Sequence, residues 1–169
     1  MQLTELLLSE LDRELERSKR ALEQVPEGKR DWKPHDKSMS FGYLAEIVAR
    51  IPGWVAFAIN QDELDIAPPG GSQQKPTPLN TSADLVKELE SSTAQARAAL
   101  QKTTDEFLTT PWRLLVGGKI VQEFPRHVII RDVLNHMAHH RGQMTVYLRL
   151  LGAKVPALYG PSADDQRFD

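Results

Sequence analysis

No cysteine occurs anywhere in the 169 residues. Disulfides, thiolate metal ligands and an internal thiol nucleophile are excluded together. The absence also fits a reducing cytoplasm. Long hydrophobic runs are missing as well. The leucine-rich start, MQLTELLLSELDRELERSKR, is broken by Glu5, Glu10 and Asp12, and no small-residue cleavage site follows it. It reads as neither a signal peptide nor a membrane span. Sustained positive charge is the third absence. Against 21 Lys and Arg stand 23 Asp and Glu, and the densest basic stretch, GKRDWK, carries an acid. Duplex nucleic acid requires a continuous positive face, so it is not an expected partner. A glycine-rich phosphate loop and a nucleophile elbow are lacking too. Gly70-Gly71 lies in a proline-rich stretch, Gly117-Gly118 reads as a hairpin turn, and Ser38, Ser40 and Ser162 have no elbow context. There is no internal repeat.

What remains is an ordinary globular composition, 40% hydrophobic and 26% charged. The length suits one domain with one core, over residues 1–169. Leu3, Leu7, Leu11, Leu15 and Leu22 share a helical stripe, which predicts an amphipathic helix over about residues 3–24. VPEGKRDWKPHDKS breaks it. A second helix should start after Ser38 or Ser40 and run to about Asn60, interrupted at Pro52-Gly53. Residues 65–80, with four prolines and two glycines, form the longest expected loop, a mobile one. Thr81 or Ser82 can cap a third helix carrying Leu85, Leu89, Ala96 and Leu100. PWRLLVGGKIVQEFP then reads as a hairpin. A last helix, about His127 to Leu151, should stop at Gly152. The expected fold is therefore all-α: four long helices, with a small β-hairpin between the third and fourth. The apolar tail VPALY is expected to pack back over the open end of the bundle, near the histidine pocket described next.

The chemistry gathers in NHMAHHRGQM, residues 135–144. At about 100° per residue, His136 and His140 are neighbours on one helical face, with Asp132, Gln143 and Tyr147 close to the same line. This polar stripe borders an apolar one of Ile129, Val133, Met137, Met144 and Leu148, while His139 turns toward solvent. Two imidazoles at i, i+4 can bite one divalent ion, but two donors rarely suffice. They can equally be a structural pair bonded to Asp132, Gln143 or backbone. The spacing matches H-E-x-x-H peptidases, yet Met137 stands where the catalytic glutamate would be, which excludes that reaction. His35 reads as a turn residue, and Trp54 and Trp112 as packing anchors.

NHMAHHRGQMTVYLRLLGAKVPALYGPSADD resembles the C-terminal signature of the DinB-like family of bacterial four-helix bundles, and VPEGKRDWKPHDKSMSFGYLAEIVARIPGW its helix-two region. (A DNA polymerase sharing that name is unrelated.) The resemblance runs along nearly the whole chain. It implies an up-down-down-up left-handed bundle, commonly a homodimer, for which Val146 and Leu150 offer a second apolar edge. It also implies nickel or zinc held by three histidines, and relatives that work with low-molecular-weight thiols as transferases or an isomerase. His136 and His140 match two of the ligands; at the third position, seven residues before the Trp of IPGW, stands Ile47. Isoleucine cannot ligate, so metal would be held weakly or not at all, with Glu46 or Asp132 as substitute donors. The expectation is a stress-related or small-molecule-binding protein with a degenerate histidine pocket. The alternative is a metal-dependent thiol-transferase.

Overall fold

The structure, a computed structural model, describes residues 2–71 and 76–168. Its elements run α1 (Leu3–Leu22), α2 (Phe41–Arg50), α3 (Gly53–Asn60), β1 (Glu63–Asp65), α4 (Ser82–Lys102), α5 (Asp105–Leu108), β2 (Pro111–Val116), β3 (Lys119–Pro125) and α6 (Arg126–Leu150). Helices α1, α4, α6 and the α2–α3 pair pack around a common interior. One half of that interior holds Leu7, Leu11, Val55, Ala96, Leu108, Trp112, Ile130 and Met137. The other holds Leu22, Phe41, Leu44, Leu85, Leu89, Met144 and Leu148. Each fully buried leucine contributes roughly 1.5–3 kcal/mol through removal from water. Among the described residues no single helix is long and apolar enough to cross a membrane.

Local signals explain most boundaries. The first N–H groups of α1 have no partner within the helix. The Asp105 carboxylate accepts those of Leu3 and Thr4 at 2.8 and 3.0 Å. α4 opens on a capping box: Thr81 Oγ1 accepts from Asp84 N, and the Asp84 carboxylate accepts from Thr81 N. Pro52 has no N–H to donate, and the chain bends by 47° between α2 and α3. At the end of α6, Gly152 adopts φ +72° and Ala153 N donates to Leu148 O.

The all-α expectation fails at the sheet. Among the described residues there are six helices rather than four, and the hairpin is two-thirds of a mixed three-stranded sheet ordered β1-β2-β3. β2 and β3 pair antiparallel around Gly117 and Gly118 (φ +60° and +77°), as a two-residue turn requires. β1 lies parallel to β2 on its other side. Glu63-Leu64-Asp65 has little strand propensity of its own, and its pairing comes from tertiary structure. Arg113 N donates to Asp62 O and Ile66 N to Leu115 O. The Asp65 carboxylate accepts the N–H groups of Gly117 and Gly118 at 3.0 and 2.6 Å, which ties the strand to the hairpin turn.

Residues 72–75 of the expected 65–80 loop lie outside the described residues. Its far end is anchored: Arg50 donates to Thr77 O, Arg30 to Leu79 O, and Leu79 N to Glu46. The tail packs back on the bundle as expected, but away from the histidine pocket. Val155 and Leu158 pack on the half of the core around Leu22 and Leu85, with Ala157 buried. Tyr159 reaches Glu14 and Arg141, and no described tail residue lines the cavity beside His136. Arg141 sits about 100° around α6 from His140, so the tail follows a different face of the helix.

Candidate functional site

The last helix brings His136 and His140 into direct contact, Nε2 to Nε2 at 2.7 Å. At that distance one ring donates an N–H to the other's lone pair. Gln143 decides the direction. Its Oε1 lies 2.8 Å from His140 Nδ1 and can only accept, so His140 carries its proton on Nδ1. With Nδ1 of His140 donating to Gln143, its Nε2 accepts, His136 donates from Nε2, and Nδ1 of His136 is left as an acceptor. Trp54 packs on the His136 ring with centroids 5.5 Å apart. Burial holds the His136 pKa below its ordinary value, helped by the nearby His140 and His139. The ring is therefore neutral near pH 7.

His136 also lines a cavity of ≈ 360 Å³ between α3, the sheet and α6. Trp54 and Phe57 come from α3, Leu64 from β1, Trp112 and Leu114 from β2, and Ile129 and Val133 from α6. Among the described residues, Gln122, Asp132 and His136 bring polar or charged side chains to it. The Trp112 indole N–H is buried and has no hydrogen-bond partner among the described residues. Arg126 holds the walls together. Buried at the start of α6, it donates to Ala58 O, Gln61 O, Thr110 Oγ1 and Asp62, and stacks on Phe107 at 4.4 Å. One side chain thus joins the end of α3, the lead into β1, α5 and the lead into β2.

The other residues singled out from sequence are dispersed. Ile47 is half-buried against the part of the core that contains Val133 and Met137, the neighbours of His136. Glu46 is buried and already engaged: Oε1 meets Arg30 and Leu79 N, and Oε2 meets Arg50. Asp132 is exposed at the cavity edge. His139 is exposed, as its position on the helix implied. Tyr147, placed on the polar stripe by its spacing, instead packs in the core against Trp32 and Phe41. His35 accepts from Lys37 N in a turn. Trp112 is a buried anchor, but Trp54 stays 40% exposed and forms cavity wall.

A three-histidine metal centre does not fit these residues. Among the described residues no three His, Asp or Glu side chains converge. Tetrahedral zinc with Zn–N near 2.05 Å would also hold two nitrogens about 3.3 Å apart. Here they touch at 2.7 Å, as a hydrogen-bonded pair.

The chain belongs to the DinB family, whose sequence profile matches residues 1–167. It is 33% identical over 90 residues to the uncharacterized protein YrdA of Bacillus subtilis (strain 168), a match spanning 52% of this chain and 51% of that one. The chain thus aligns with about half of that relative's length. Among solved structures it is similar to a DinB-like protein of Bacillus cereus ATCC 10987, with TM-score 0.68 and 23% identity over 90% of this chain and 95% of the other. It is also similar to the DinB-like protein YjoA of B. subtilis, with TM-score 0.69 and 20% identity over 96% and 99%. At such identities the structural likeness concerns the fold.

Proposed function

We propose that the protein binds a small, largely apolar or aromatic molecule in the cavity between α3, the sheet and α6, with a hydroxyl or N–H of that molecule donating to His136. The observation that carries this reading is the lining itself: among the described residues, aromatic and aliphatic side chains nearly all round, with Gln122, Asp132 and His136 as the polar exceptions. A volume of ≈ 360 Å³ lies within the range of ordinary ligand sites. Two of the lining residues are tryptophans, so binding should change intrinsic fluorescence. Leu114→Trp fills the cavity from β2. It should abolish the response to an apolar aromatic probe such as naphthalene while leaving the helical circular dichroism intact. An unchanged affinity in that variant would move the binding site elsewhere.

A second reading is a divalent-metal enzyme acting with a low-molecular-weight thiol. The converging histidine nitrogens favour it. Against it stand Ile47 at the third position and the engagement of both Glu46 oxygens. On our reading nickel or zinc would be held weakly by the pair, and lost to a mild chelator. A homodimer would use the exposed edge at Val146 and Leu150. Light scattering tests it: a dimer mass is expected, and a strict monomer would rule that edge out.

A further inference from the structure

On the face of α6 opposite the histidines, a second hollow of ≈ 210 Å³ opens between α1, α6 and the tail. Glu10, Arg13, Glu14 and Arg17 line it from α1, Arg131 and Asn135 from α6, and Tyr159 from the tail. Behind it lies Arg141, fully buried, which donates to Glu14, Ser18 Oγ and Tyr159 Oη. The charges do not balance. Four guanidiniums meet two carboxylates, in a chain whose net charge is −2.

The carboxylates are already taken. Arg131 pairs with Glu10. Both oxygens of Glu14 are engaged, Oε1 by Arg17 and Oε2 by Arg141 and Tyr159. Burial alone would raise the Glu14 pKa, but the two arginines and Tyr159 hold it below the usual carboxylate value, so it stays ionised. Two nearly buried guanidiniums, Arg17 and Arg141, therefore share one negative charge. A buried charge without a counter-charge is costly, and the protein retains this one beside an open hollow. Donors are left over as well. Arg141 Nε is buried and has no hydrogen-bond partner among the described residues. Arg17 uses Nε on Leu158 O and Nη1 on Glu14, while its Nη2 makes no hydrogen bond among the described residues. Arg13 is exposed at the hollow and pairs with no carboxylate among the described residues.

We propose that this hollow is a binding site for a small oxyanion, a carboxylate or phosphate group, held between Arg13 and Arg17 beside Tyr159. Planar guanidiniums suit both groups because each presents two parallel N–H donors to two oxygens. The site is independent of the apolar cavity, since the two share no lining residue.

The test titrates the full chain with inorganic phosphate and, separately, acetate, against sodium chloride at matched ionic strength. The arginine Nε–Hε resonances and the melting temperature are followed. The expected result is a saturable change at Arg17 with one or both oxyanions and none with chloride; which oxyanion acts identifies the group preferred. Arg17→Gln should abolish the response. Because Arg17 also holds the tail, Arg13→Gln provides the second variant, and it removes no ion pair within the protein. It should weaken binding about tenfold, the loss of one charge-assisted contact. The proposal is overturned if neither oxyanion gives a saturable change, if chloride does the same, or if Arg13→Gln binds as tightly as the wild type.

Discussion

Ile47→His places an imidazole on α2 where that helix packs against α6, on the part of the core that contains Val133 and Met137. Isoleucine and histidine differ little in volume, and the position is half-buried rather than sealed. The apo variant should lose about 1–2 kcal/mol, mainly from desolvating a polar ring. For a chain of this length that lowers the melting temperature by roughly 3–6 °C. The third donor changes the response to metal. At a free concentration one hundred times the dissociation constant, binding to the folded state alone adds about 2.7 kcal/mol, or roughly 8 °C. Nickel or zinc should therefore more than restore the variant, with a gain that grows with the logarithm of metal concentration. The wild type should gain little. Thermal melts across a metal series, paired with elemental analysis after dialysis against a mild chelator, provide the assay. One tightly held metal per wild-type chain would refute the reasoning, because a third donor would then exist without Ile47. Equal indifference of both proteins would also refute it, by showing that α2 does not present residue 47 to the histidine pair.

Two further outcomes are expected. Arg126→Met should cost about 3–5 kcal/mol, because the carbonyls of Ala58 and Gln61 lose a buried charged donor; thermal melts should fall by roughly 10–15 °C, and a change within 2–3 °C would show that the clamp is dispensable. The His136 pKa is depressed below 6.5 in the folded state, so the unfolded chain binds the extra proton first. Its contribution to stability is complete above pH 6.5 and is lost as pH falls through the depressed folded value. His136→Phe should flatten that part of the denaturant-midpoint profile, and an unaltered slope would show that other groups set it.

The long helical segments, though not the short α5, were legible because their signals are local. The leucine stripe of α1, the Thr81–Asp84 box, Pro52, the Gly117-Gly118 turn and Gly152 each act within a few residues of themselves. The His136/His140 contact was legible for the same reason, being fixed by helical spacing. β1 was not. Asp62-Glu63-Leu64-Asp65 reads as an acidic loop, and it becomes a strand only because β2 presents an open edge and the Gly117-Gly118 turn presents two N–H groups to Asp65. With β1 hidden, the cavity was hidden too, since Leu64 and its neighbour Ile66 form part of its wall. Tyr147 shows the limit of a helical projection: its angle placed it on the polar stripe, but Trp32 and Phe41, which drew it into the core, come from elsewhere in the chain. The Glu14–Arg17–Arg141–Tyr159 cluster joins three distant segments, and no spacing rule connects them.

If His136 supplies the polar end of the cavity, a matched pair of ligands should reveal it directly. Calorimetric titration of the wild type and of His136→Phe with a naphthol and with naphthalene compares a ring that carries a hydroxyl with one that does not. The wild type should prefer the naphthol by about tenfold, the worth of one hydrogen bond to a half-buried acceptor, and the variant should bind both alike. A wild type with no preference, or a preference that survives in His136→Phe, would contradict the assignment of His136 as the group that meets the ligand.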